Sequence, residues 1–276
     1  MRRLLAGLLL LLGLLPGLSP AWAQDAGEAQ ELVDRSALTV QELLTTGDAQ
    51  AIADAQRFLR RARAAMICPR VFRAGFILGG EGGGCVLLGR DAAGSWSSPA
   101  FYGMASGSLG LQIGVQDMQV LMLIMSDRAL TALMDSQFKF GADAAMAVAT
   151  IGAGVEGSTT AAAGADIIAF ARSRGLFAGI ALEGSLLSAR SELNRAYYRQ
   201  EVSPRQIVVA MQAHNPGADP LRAMLMRFGT PEGAASAQAP PTSPPASPAA
   251  LPAERPAAGA GAVQSSPLPP IAGPRR

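Results

Sequence analysis

The residues able to do chemistry in this chain are few and scattered. They are one histidine, His214; two cysteines, Cys68 and Cys85; a carboxylate, Glu183, among apolar neighbours; the run Gly152-Ala153-Gly154-Val155-Glu156-Gly157; and the arginines Arg57, Arg60, Arg61, Arg63, Arg70 and Arg73. One histidine and two cysteines cannot build a multi-ligand zinc site. His214 lies in Ala213-His214-Asn215-Pro216-Gly217, and acid–base catalysis needs further groups around it that the local sequence does not supply. Ser106 and Ser108 lack the spacing of a nucleophile elbow. The glycine run matches G-x-G-x-x-G. A dinucleotide site also needs a carboxylate about 20 residues further on, where Phe177–Ile180 stand instead and Glu183 comes late. The run therefore reads as a structural glycine loop. Glu183 reads either as a functional acid or, more in keeping with its setting, as a carboxylate that caps backbone amides or pairs with an arginine, Arg172, Arg174 or Arg195 being candidate partners. No catalytic residue, metal ligand or cofactor is expected, and the chain does not read as an enzyme.

The arginines are more informative. Asp48 suits the N-cap of a helix running to about Met66, with Ile52, Ala55, Leu59, Ala62 and Met66 on one face. Arg57, Arg60 and Arg61 fall on the opposite face, with Arg63 on its flank. No acid appears between Asp54 and Glu81, while Arg70 and Arg73 extend the cluster. Such a face is either the solvated side of a packed helix or a surface for anions. Guanidinium forks hold phosphate bidentately, and their long stems reach lipid headgroups while apolar residues enter the interface. Nucleic acid fits poorly: the chain has one lysine, Lys139, and no basic groove interleaved with aromatics. Overall charge is nearly balanced, 23 Lys+Arg against 21 Asp+Glu.

Both ends carry their own signals. Arg2-Arg3, an apolar run to Leu15, Pro16 and Pro20, then Ala21-Trp22-Ala23 form a secretory signal over residues 1–23. Cleavage near Ala23 would leave the protein periplasmic or secreted, with peripheral membrane association its route to a bilayer. The loss of Arg2 and Arg3 would make the mature charge zero, so any basic surface must be local. From residue 229 to 276 the chain is Pro/Ala-rich and is expected to be a disordered tail, an untethered terminus or a docking strand for an envelope protein partner. Residues 24–228 remain for one folded domain.

Within that domain, helical patterns over Glu28–Leu44 and from Asp48 precede strand patterns, and helices from Ser191, Ser203-Pro204 and Asp219-Pro220 close the series. The strand candidates include a hairpin of Phe72–Leu78 and Cys85–Leu88, an alternating Ser108–Gln116, a two-sided apolar Met118–Met125, Phe138–Val148, Ala165–Ala171 and Leu176–Leu187. The expected class is α+β: a Gly-rich, mostly antiparallel, curved or barrel-like sheet with N-terminal and C-terminal helices packed on it. Placing the hairpin reversal at Gly79–Gly84 puts Cys68 too far along its strand to reach Cys85, which predicts two buried free thiols.

Longer segments carry a resemblance. Ala65-Met66-Ile67-Cys68-Pro69, Ala74-Gly75-Phe76-Ile77-Leu78-Gly79-Gly80, Trp96-Ser97-Ser98-Pro99-Ala100-Phe101-Tyr102-Gly103, Ser106-Gly107-Ser108-Leu109-Gly110, Ser173-Arg174-Gly175-Leu176-Phe177 and Asn194-Arg195-Ala196-Tyr197-Tyr198 occur in the order found in the SYLF domain family. The chain resembles that family from about Ala62 to Tyr198. The resemblance implies a lipid-binding domain for acidic phospholipids, phosphoinositides in eukaryotic members, some of which also bundle actin. For an exported bacterial-type member it implies an anionic phospholipid such as phosphatidylglycerol or cardiolipin. The charge cluster itself, Arg57, Arg60, Arg61, Arg63, Arg70 and Arg73 with the helix from Asp48, is expected to make the headgroup contacts. The alternative is an envelope protein-interaction scaffold.

Overall fold

The computed structural model describes residues 21–75, 78–109, 114–135, 137–150, 164–175 and 184–230. Helices α1 (Ala21–Thr45) and α2 (Ala49–Leu59) lead into strands β1 (Ala64–Gly75), β2 (Leu78–Gly89), β3 (Ala100–Leu109) and β4 (Gly114–Ile124). Helix α3 (Asp127–Leu133) and strands β5 (Gln137–Lys139), β6 (Met146–Thr150), β7 (Ile167–Gly175) and β8 (Leu186–Ala189) follow. Helices α4 (Ser191–Tyr198), α5 (Pro204–Val208) and α6 (Asp219–Gly229) end the described chain. The strands form one sheet in the order β5-β8-β3-β2-β1-β4-β7-β6. Every pairing is antiparallel except β6 with β7. The class is α+β, and the sheet curls strongly into a half-barrel with helices at both ends.

Side chains alternate between two cores, as strand geometry requires. On one face Ala65, Ile67, Val86, Leu88, Leu121 and Leu123 meet α1, α2, α4 and α6 through Val33, Leu43, Leu59, Leu193 and Leu225. On the other, Met66, Cys68, Cys85, Leu87, Tyr102, Val120 and Met122 meet Leu133 of α3, Phe138 of β5 and Ile207 of α5. Each fully buried side chain of this size contributes roughly 1.5–3 kcal/mol. The two-sided apolar stretch at Met118 is β4, whose edges pair with β1 and β7 and whose alternate side chains enter the two cores, so both of its faces are covered. The caps also follow from sequence. Ser203 and Gln206 form a reciprocal capping box with Pro204 in the first turn of α5, and the Asp48 carboxylate accepts from the Ala51 amide to start α2.

Several expectations need correction. The helix from Asp48 stops at Leu59, and Met66 is a strand residue. Arg61 and Ala62 donate backwards to Phe58 and Leu59 in a tight turn, and Arg63 N–H already donates to the Ile124 carbonyl of β4. Ser108–Gln116 is not one strand, because it spans the end of β3 and the start of β4. Phe138–Val148 likewise divides between β5 and β6.

The cysteine expectation is overturned: Cys68 and Cys85 form a disulfide, with Cα atoms 4.2 Å apart. The reversal lies between Gly75 and Leu78, and Gly79–Gly84 belong to β2, which moves Cys85 opposite Cys68. At one of these glycines the neighbouring strand approaches too closely for a side chain. At Gly83 a Cβ would come within 2.3 Å of the Arg70 carbonyl oxygen, beside the register shift that separates Ile67 from Phe72. Gly83→Ala should therefore force a backbone adjustment and destabilise the domain by about 1–3 kcal/mol. A denaturant titration of both proteins checks this, and an unchanged midpoint would disprove the close approach.

Candidate functional site

The six arginines separate into two groups. Arg60 is the C-cap of α2, Arg61 lies in the turn after it, and Arg63 leads into β1. The turn is held by Arg90 at the end of β2. Its guanidinium donates to the carbonyls of Arg60 (2.7 Å), Gly94 (3.3 Å) and Gly229 (3.3 Å), and its charge sits over the Trp96 ring. A cation bonded to the last carbonyls of α2 and α6 complements the negative ends of both helices. Arg60, Arg61, Arg63 and Arg90 line one open cleft of about 390 Å³, with Asp91 and Gly94 across it.

Three of these arginines have little to neutralise them. Arg63 makes a long contact with Asp127, 3.5 Å between exposed side chains. Arg60 and Arg61 are exposed, and neither has an acidic partner among the described residues. Arg57 stands one turn back, paired with Asp54 at 2.8 Å and stacked near Phe58.

Arg70 and Arg73 belong elsewhere. From Arg63, they lie seven and ten residues along β1, roughly 23 and 33 Å away at strand rise. Arg70 is on the helix-covered face and binds Asp117 with two hydrogen bonds, 2.8 and 3.1 Å, which raises its pKa above the ordinary guanidinium value. Arg73 points to the opposite face and donates to Glu81 at 3.0 Å. Glu81, which the sequence reading passed over, has a fully buried side chain; its other oxygen accepts from Ser185 at 2.7 Å. The expectation of one continuous arginine surface is therefore corrected, because β1 carries the later members out of reach and each is tied to an internal acid.

Strand register explains the buried pair. Ser106, Glu81, Arg73 and Gln116 are successive cross-strand partners on β3, β2, β1 and β4, so their side chains share one face. They form a polar row beside the apolar rows of Met104, Val71 and Met118. Gln116 is 1% exposed, and neither atom of its amide has a hydrogen-bond partner among the described residues. The visible clue was alternation: Glu81, Gly83 and Cys85 repeat every second residue, which sends the carboxylate into the same core as the cysteine.

Of the remaining candidates, His214 is exposed, with Nδ1 3.4 Å from the Ser98 hydroxyl and no carboxylate hydrogen-bonded to it among the described residues. Among the described residues no three His, Cys, Asp or Glu side chains converge as metal ligands. Glu183 and Gly152–Gly157 lie outside the described residues. No described helix is long and apolar enough to cross a membrane.

Among the described residues the site is an arginine cleft on a half-barrel sheet with helices at both ends. Residues 105–228 match the family model described as Ysc84, Las17-binding protein actin regulator, and the SYLF resemblance seen in the sequence is borne out over that segment. SH3 domain-containing YSC84-like protein 1 of Rattus norvegicus is 34% identical over 139 residues, covering 50% of this chain and 41% of the relative. The Homo sapiens protein of that name is 33% identical over 139 residues, with the same coverage of 50% and 41%. Protein YSC84 of Saccharomyces cerevisiae is 29% identical over 170 residues, 60% of this chain and 36% of the relative. The chain thus spans about two fifths of the length of these curated relatives. The family is named for binding and regulation rather than catalysis. The arginine cleft is built mainly from residues that precede the matched segment.

Proposed function

We propose that this protein binds anionic phospholipid peripherally and that Arg60, Arg61 and Arg63 carry the headgroup contact. The observation behind this reading is their shared cleft, in which the exposed Arg60 and Arg61 form no ion pair among the described residues. Arg57 flanks the site at reduced strength because Asp54 already binds it. Arg70 and Arg73 drop out. We also propose export to the periplasm or beyond through residues 1–23. The Cys68–Cys85 bridge favours this, since such bonds persist in oxidising compartments.

Basic residues near an anionic membrane contribute about 1 kcal/mol each, attenuated by salt. Arg60→Glu/Arg61→Glu should reduce partition onto vesicles containing cardiolipin by about 30-fold or more, through two lost attractions and the added repulsion. Arg70→Ala should leave partition within about twofold. Flotation with cardiolipin-containing and purely zwitterionic vesicles, at low and high salt, measures both. Equal recovery on the two vesicle types removes the electrostatic mechanism.

A protein-binding scaffold is the second reading, favoured by the matched family's description as Las17-binding. An anion-independent partner, captured equally by the Arg60→Glu/Arg61→Glu variant, would support it. The Pro-rich segment expected to serve as a docking strand lies outside the described residues.

A further inference from the structure

A second surface, remote from the arginine cleft, has the composition of an interface. Leu38 of α1, Phe72 of β1 and Val115 of β4 are 66%, 41% and 54% exposed, three of the five large apolar side chains that the described residues leave in solvent. They border two adjoining clefts, about 540 and 420 Å³, that share Arg35, Pro69 and Arg70. Exposed apolar groups that cluster, unlike single ones, mark contact surfaces.

Charge indicates the occupant. Every arginine on this surface is already matched: Arg70 with Asp117, Arg35 with Glu31, and Arg172 with Glu42. An anionic membrane gains little from cations that are paired, and it is repelled by their partners. A surface with equal numbers of both signs around an apolar centre is instead complementary to itself. A two-fold axis that runs across an exposed ion pair sets its positive end against the negative end of the copy, the arrangement of an isologous interface.

We infer that a second copy of this chain docks on the Leu38/Phe72/Val115 face, with the Arg70–Asp117 pair near the two-fold axis. The inference does not rest on lipid binding, because the arginine cleft stays outside the contact.

Sedimentation velocity of the purified chain over a wide concentration range tests it, with thermal melting as the folding control. A monomer–dimer equilibrium is expected. Leu38→Glu/Val115→Glu should weaken it by about tenfold or more, while flotation on cardiolipin vesicles is retained. Arg70→Asp alone should weaken association by sign conflict, and Arg70→Asp/Asp117→Arg should restore it, since both copies then carry the exchanged pair. A chain that stays monomeric throughout, or a dimer indifferent to Leu38→Glu/Val115→Glu, overturns the inference. Loss of vesicle binding in that variant also overturns it, by assigning the face to the membrane.

Discussion

Glu81→Ala should lower the melting temperature by about 6–20 °C. The carboxylate it removes is fully buried and accepts from both Arg73 and Ser185. Without it, the Arg73 guanidinium, whose side chain is only 15% exposed, loses the acid that neutralises it in the sheet. Breaking one side of such a pair costs about 3–5 kcal/mol, and for a domain of this size each kcal/mol shifts Tm by about 2–4 °C. Replacing both partners by apolar groups removes the charge imbalance together with the desolvation cost. Arg73→Met/Glu81→Leu should therefore recover most of the loss. Differential scanning calorimetry of the two singles and the double closes the cycle. If Arg73→Met and Glu81→Leu prove additive, the ion pair contributes no coupling and this account is wrong.

Loss of the disulfide comes next. Cys68→Ala/Cys85→Ala should destabilise the oxidised protein by about 3 kcal/mol, because the bond closes a loop with a sequence separation of 17 and restricts the unfolded chain. The corresponding Tm shift is about 6–12 °C. The bridge joins β1 to β2 in the middle of the sheet, with both cysteines fully buried. Reducing agent should therefore act slowly on the folded protein and quickly once it is unfolded. Thiol titration is the direct check: no reactive thiol in the native state, and two after denaturation with reductant. Two thiols released by denaturant alone would return the cysteines to the free state expected from sequence.

The arginine variants separate from both of these. Arg60 and Arg61 are exposed and support no packed side chain, so their charge reversal should alter vesicle partition with little change in Tm. The two classes of result are thus distinguishable in the same preparations.

Local chemistry made much of this fold legible in the sequence. Ser203-Pro204 and Asp48 start helices because a capping oxygen and a preset φ act within one turn, and α5 and α2 begin where those residues stand. The two-sided apolar Met118–Met125 marked a central strand because only burial on both faces accommodates such a run. The glycine-rich β2 misled for a physical reason. Glycine serves both a chain reversal and a close approach of two backbones, and only the neighbouring strand tells them apart. That single ambiguity displaced the turn from Gly75–Leu78 to Gly79–Gly84, and with it the predicted state of both cysteines.

The sequence by itself determined the inventory: an α+β order of elements, a resemblance to the SYLF domain family, and an arginine excess between Asp54 and Glu81. Tertiary structure decided which arginines act together. Proximity along a chain becomes proximity in space only within a turn or a helix. Once Arg63 enters β1, each residue moves the next about 3.3 Å away and reverses its face. Arg60, Arg61 and Arg63 were left together at one end, Arg70 was sent to Asp117 on one surface, and Arg73 was sent to Glu81 in the interior.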